Sequence, residues 1–137
     1  MTRINIKDLQ TVAKTEQDRL AGYKAMLMVC TGTGCVSAKA FDLLATLKEE
    51  LASRKLEKDF LAVGTGCNGF CGQGPVMVVQ PDGIFYQLLK KEDMARVVEE
   101  HLVGGKPVED FMFHDFSSGE PVPKMEDVPF FSKQKLI

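Results

Sequence analysis

Apolar positions along the chain change their period several times, and each change marks an element. From Asn5 to Gly22, Leu9, Val12, Ala13 and Leu20 recur at helical spacing. Asn5 is a suitable N-cap for that helix and Gly22 a suitable stop. Ala25 to Val29 is a short apolar run with the length and flanks of a buried strand. Thr31 to Gly34 reads as a small flexible loop. Phe41, Leu44, Leu47 and Leu51 then predict one long helix over roughly Ser37 to Ser53. Phe60 to Val63 reads as a second buried strand, followed by a glycine-rich loop from Gly64 to Gly74. Val76 to Gln80 and Ile84 to Leu88 read as a hairpin, with Pro81, Asp82 and Gly83 as its turn. Met94, Val97, Val98 and Leu102 mark a last helix over about Lys91 to Val103. Glu92 and Asp93 suit its N-terminus and Gly104 and Gly105 end it.

After Lys106 no period is sustained. Pro107, Pro121, Pro123 and Pro129 punctuate a charged stretch that also carries Phe111, Phe113, Phe116, Phe130 and Phe131. So many aromatics predict an arm that packs on something: this domain, a partner, or a following domain. The chain thus divides into an N-terminal helical segment (1–24), an α/β unit (25–105) and an extended arm or linker (106–137). Strand–helix–strand followed by a hairpin and a helix is the order of a thioredoxin-like α/β layer. The expected architecture is a small mixed four-stranded sheet with flanking helices.

With 137 residues, 45% hydrophobic and 26% charged, the chain has the size and balance of one soluble domain with its own core. The net charge of −2, with both signs interspersed, leaves no basic stripe for nucleic acid or anionic lipid. No apolar run approaches the ~18 residues of a membrane span. The polar stretch Met1 to Gln10 does not have the form of a secretory signal. The expected location is cytoplasmic, where thiols stay reduced and grouped cysteines point to metal or redox chemistry.

The four cysteines are Cys30, Cys35, Cys67 and Cys71. In the expected topology the first two strands are parallel, so both cysteine loops leave the carboxyl edge of the sheet, where open α/β sheets bind ligands. Cys35 is expected just before the long helix, whose N-terminal N–H groups would face the site. Gly32, Gly34, Gly64, Gly66, Gly69, Gly72 and Gly74 crowd the same segments. They would let several backbone N–H groups approach sulfur. Besides an iron–sulfur cluster, the residues leave three readings open. Two disulfides need an oxidising compartment. A zinc-stabilised interaction module could use the same four thiolates, although zinc pairs usually sit on two-residue knuckles and both spacings here are wider. A thiol–disulfide redox protein would want a two-residue Cys spacing.

The patterns C-T-G-T-G-C at Cys30–Cys35 and G-T-G-C-N-G-F-C-G-Q-G-P at Gly64–Pro75 resemble those of the thioredoxin-like 2Fe–2S ferredoxins. More specifically, they resemble the N-terminal domain of the flavoprotein subunit in NAD(P)-reducing iron-only hydrogenases, a relative of the NADH-binding subunit of respiratory complex I. Gly22–Tyr23–Lys24, His101–Pro107 and the arm ending Pro129–Lys135 are similar too. The resemblance implies one 2Fe–2S cluster ligated by Cys30, Cys35, Cys67 and Cys71, surrounded by Gly32, Gly34, Gly66, Gly69, Gly72 and Pro75. It implies electron transfer inside a flavin- and iron–sulfur-containing oxidoreductase complex, with the other subunits or domains as partners and a homodimer as a possible assembly. The flavin and NAD sites of such a complex have no matching residues here. The arm normally leads into a flavin domain, whereas this sequence stops at Ile137, so an excised domain and a free-standing relative are both expected forms. Pro75 stands where thioredoxin-like folds often carry a cis-proline, and the Gly74–Pro75 bond is expected to be cis.

Other motifs are set aside. Gly64–Gly69 satisfies G-x-G-x-x-G, but a strand rather than a helix follows it, so it does not have the context of a dinucleotide site. His101 and His114 are expected in core or surface roles, and Met26, Met28 and Met77 in packing.

Overall fold

The computed structural model describes residues 5–135. The first four residues of the N-terminal segment and the last two of the arm lie outside them. Helix α1, Ile6–Ala21, opens with a capping box. The Asn5 side chain accepts from the Asp8 N–H at 3.0 Å, and the Asp8 carboxylate accepts from the Asn5 N–H at 3.0 Å. The helix buries none of its residues, and Leu9 and Val12 stand open.

Strand β1, Ala25–Cys30, lies at the centre of the sheet. The order is β2-β1-β3-β4, with β2 Phe60–Thr65, β3 Met77–Gln80 and β4 Ile84–Tyr86. β1 and β2 are parallel, while β1–β3 and β3–β4 are antiparallel. The register sets Cys30 level with Thr65 and Val29 level with Met77. This is the mixed sheet that the order of elements predicts. Gly74–Pro75 is cis, as expected, and Gln80–Pro81 is cis as well.

The expected long helix starts a little later, at Ala40, and a short helix occupies part of the expected loop before it. A short turn, α2 Thr33–Ser37, is followed by Lys39 in the left-handed region (φ 71°) and then by α3, Ala40–Ser53. Ala40, Leu43, Leu47 and Leu51 form the buried face, whereas Phe41, expected on that face, points outward at 58% exposure. Helix α4 covers 91–103. It begins as a 3-10 turn at Lys91–Asp93 and widens into a π-helix over Val97–Val103. Met94, Val97 and Val98 reach the core from it.

The arm packs on this domain rather than standing free. Val108, Met112, Phe113 and Val128 are buried in the common core. The Phe85 N–H donates to the Pro123 carbonyl at 2.8 Å, and the Gln87 N–H to the Phe111 carbonyl at 2.9 Å. These bonds use the outer edge of β4. A two-stranded ribbon, β5 Phe113–His114 with β6 Pro121–Val122, and a final turn, α5 Pro129–Ser132, complete it. Tyr86 joins arm to core: its hydroxyl accepts from the Val108 N–H at 3.0 Å and lies 2.8 Å from His101 Nδ1. Burial pushes the Tyr86 phenol up to about 12. Burial also holds His101 below its ordinary 6.5, although Asp82 works in the opposite direction.

Leu47→Ala, at a site with no exposure, should cost about 2–5 kcal/mol in urea denaturation. Leu9→Ala on α1 should stay within about 0.5 kcal/mol. Because His101 is depressed in the folded state, unfolding takes up a proton at acid pH. Its contribution is complete above the unfolded value of about 6.5 and is lost as pH falls toward the folded one. Denaturation midpoints measured between pH 7 and pH 5 should fall less steeply for His101→Gln than for the parent chain.

Candidate functional site

The parallel register carries the backbone of β1 and β2 to the same edge. Beyond it, the Thr31 N–H donates to the Thr65 carbonyl at 3.0 Å, and the Thr31 hydroxyl donates to the same oxygen at 2.7 Å. The two loops therefore diverge from one clamped point. Cys30 is the last residue of β1, its N–H bonded to the Val76 carbonyl at 3.0 Å. Cys35 lies inside α2, not before a long helix, so the expected alignment of a long helix dipole with the site is replaced by a single short turn. The reason is local: left-handed Lys39 separates that turn from α3.

On the other loop, Cys71 opens a 3-10 turn, Cys71–Gln73. The Gly69 N–H donates to Cys67 Sγ at 3.2 Å. Cys67 Sγ and Cys71 Sγ are 3.9 Å apart, and all four cysteines are free thiols. The quartet is asymmetric toward water: Cys30 and Cys35 are buried at 1% and 2% exposure, while Cys67 and Cys71 are exposed.

Three glycines allow the loops to close on the sulfurs. A Cβ on Gly32 would stand 2.9 Å from the Cβ and 3.3 Å from the Sγ of Cys67. On Gly34 it would meet Cys71 Sγ at 3.3 Å, and on Gly74 it would meet Cys35 Sγ at 2.9 Å. Each contact joins a glycine of one loop to a cysteine of the other. Gly69 has a different reason to be glycine, a positive φ of 78°. Gly66 and Gly72, expected beside the sulfurs, face open space with nothing within 4 Å of a Cβ. Pro75 is buried between Gly74 and Val76.

The thiols influence one another. Burial pushes Cys30 up, but the N–H groups of Gly32 and Asn68, together with the Cys35 and Cys67 thiols, outweigh it and hold Cys30 below its ordinary 9.0. Burial pushes Cys35 up to about 11, with the Cys30 thiol adding to the rise and the Val76 N–H opposing it. The hydrogen bond with Cys67 keeps Cys71 above the ordinary range. Asn68 and Val76 act through backbone N–H groups, which side-chain identity cannot reveal. Among the described residues, no three His, Cys, Asp or Glu side chains are gathered as a site for a single metal ion. Both histidines stand elsewhere in the fold: His101 against Tyr86, and His114 beside the Met112 carbonyl.

The thioredoxin-like 2Fe–2S ferredoxin family matches residues 10–102 of this chain. A 2Fe–2S ferredoxin of Clostridium pasteurianum is 38% identical over 74 residues, which cover 54% of this chain and 72% of that protein. A 2Fe–2S ferredoxin of Aquifex aeolicus (strain VF5) is 49% identical over 57 residues, 42% of this chain and 49% of that one. The crystal structure of the wild-type thioredoxin-like 2Fe–2S ferredoxin from Aquifex aeolicus superposes with a TM-score of 0.61 at 31% identity. It covers 65% of this chain and 95% of its own.

The residues present fit such a cluster. Four reduced thiols stand on two loops, N–H groups are directed at sulfur, and missing Cβ atoms leave room for the loops to approach. Gly32→Ala and Gly74→Ala should each lower stability by about 1–3 kcal/mol, because their new methyl groups overlap a cysteine of the opposite loop. Gly66→Ala and Gly72→Ala should not. Thermal denaturation of the four variants side by side checks this.

Proposed function

The chain belongs to the thioredoxin-like 2Fe–2S ferredoxin family, and on that premise we propose that Cys30, Cys35, Cys67 and Cys71 hold its 2Fe–2S cluster. The observation that carries this reading is the convergence of two cysteine loops, each glycine-packed against the other's sulfur, at one sheet edge. The cluster supplies one-electron exchange without bond chemistry. The chain's own part is to provide thiolates, donate N–H groups to them and control access by water. Gly69 donates to Cys67, while Gly32 and Asn68 favour the Cys30 thiolate and Val76 that of Cys35. Cys30 and Cys35 are sealed in the core, so electrons exchange through the exposed Cys67–Cys71 side.

The setting that best accounts for the wider resemblance is a cytoplasmic flavin- and NAD(P)-linked oxidoreductase complex, of the hydrogenase or complex I kind. Its other subunits or domains would be the partners. This rests on Gly22–Lys24, His101–Pro107 and Pro129–Lys135, which lie around or beyond the cysteine motifs. Among the described residues no helix is long and apolar enough to cross a membrane. No flavin or nicotinamide role is assigned to this chain.

Anaerobically purified protein should be reddish-brown, carry about two iron and two sulfide per chain, and give an EPR signal after dithionite reduction. Cys35→Ser should lose more of that iron and sulfide than Phe70→Leu does. A colourless protein with one zinc, or equal cluster content in the two variants, would overturn the assignment.

A further inference from the structure

The C-terminal arm reaches the cysteine site at a point outside the family match, which ends at residue 102. Phe70 stands immediately before Cys71, and its ring lies at the centre of an aromatic cluster. Ring centroids are 4.9 Å away for Phe130, 5.5 Å for Phe131, 5.8 Å for Phe85 and 6.1 Å for Phe113. Phe130 also covers the preceding residue: a Cβ on Gly69 would meet its ring at 3.9 Å. Gly69 is the residue whose N–H donates to Cys67 Sγ.

The turn carrying these two rings is itself anchored. Val128 is fully buried, the Phe131 N–H donates to the Val128 carbonyl at 2.9 Å, and the Met125 N–H donates to the Gly83 carbonyl at 3.0 Å in the β3–β4 turn. Phe130 and Phe131 stack edge-on at 5.0 Å, and Phe131 meets Phe85 of β4 at 5.5 Å. The arm thus ties the exposed cysteine loop to the buried sheet. On its other side the loop meets the facing one through the close approaches of Gly32 to Cys67 and Gly34 to Cys71. Cys67, Gly69, Cys71 and Gly72 are exposed, and a Cβ on Gly66 or Gly72 would touch nothing.

We infer that Phe130 and Phe131 are positioning residues for the Cys67–Cys71 loop: they hold Gly69 and Phe70 in place, so that the Gly69 N–H stays on Cys67 and both sulfurs keep their separation. Packed aromatic pairs attract one another beyond the burial of their area, and several together select one loop conformation. The inference rests on the proposed role of Cys67 and Cys71 as ligands, but the contact it describes belongs to the polypeptide.

The test uses the full chain in four forms: parent, Phe130→Ala/Phe131→Ala, Phe130→Leu/Phe131→Leu, and Phe116→Ala. Phe116 is an arm aromatic at 91% exposure that packs only on Phe113 among the aromatic pairs. Two rates are read on each: iron release to an anaerobic chelator, and site-resolved iodoacetamide labelling by mass spectrometry. The double alanine variant should release iron several-fold faster and label Cys67 and Cys71 several-fold faster, with Cys30 and Cys35 unchanged. The leucine pair should recover part of the difference, and Phe116→Ala should match the parent. Parent-like labelling of Cys67 and Cys71 in the alanine variant would overturn the inference. So would equal acceleration at all four cysteines, which marks general unfolding. A parent chain without iron or sulfide would overturn the ligand assignment instead, and the labelling pattern would still decide whether the arm holds the loop.

Discussion

Parallel pairing of β1 with β2 puts Cys30 opposite Thr65, and both cysteine loops start from that line. Were the second strand antiparallel, its loop would leave from the opposite edge and the two pairs of thiols would be separated by the length of the sheet. The pairing depends on a covalent crossover long enough to return the chain, which α2 and α3 provide, and on the apolar faces of β1 and α3 that bury it. Thr31 completes the constraint by bonding the Thr65 carbonyl with both its N–H and its hydroxyl. The chemistry of the edge is therefore a product of backbone register first and of side-chain identity second.

From that edge the site divides into a dry half and a wet half. Cys30 and Cys35 sit against the core, where burial opposes ionisation and specific N–H groups have to offset it. Cys67 and Cys71 lie on a glycine-rich loop in water, where charge is easily solvated but geometry is poorly held. Each half lacks what the other has. Cross-loop contacts of Gly32 with Cys67 and Gly34 with Cys71 bind the halves together at distances no larger residue would permit.

Much of this was legible in the residues. Alternating lengths of apolar runs gave the element order, and the cysteine spacing with its glycines located the edge. The break at Lys39 was not legible, because a lysine in the left-handed region leaves no mark in an apolar pattern. Phe41 misled for another reason: its apolar side chain mimics the stripe, yet it stands one residue, about 100° around α3, from buried Ala40. The roles of individual glycines were also hidden. Gly32 and Gly66 look alike in sequence, yet only one faces a neighbouring sulfur. The phenylalanines of the arm signalled packing, but their target depended on long-range contacts that no local period encodes. Tyr86 and His101 form a buried pair for the same reason: they meet only after α4 folds back on the sheet.

The hydrogen bonds between arm and β4 have a consequence for anyone shortening this protein. Strand β4 is the last in its sheet, and its outward N–H groups at Phe85 and Gln87 are taken by Pro123 and Phe111. A chain cut back to the 10–102 segment would lose both acceptors. It would also uncover Tyr86 and Phe85, both fully buried in the whole chain, along an apolar rim. Such a rim is a template for strand addition between molecules, so the truncated protein would be prone to aggregate through its sheet edge. In this chain the arm closes that rim, and prolines at positions 121 and 123 keep the closing strand from extending the ladder to another copy.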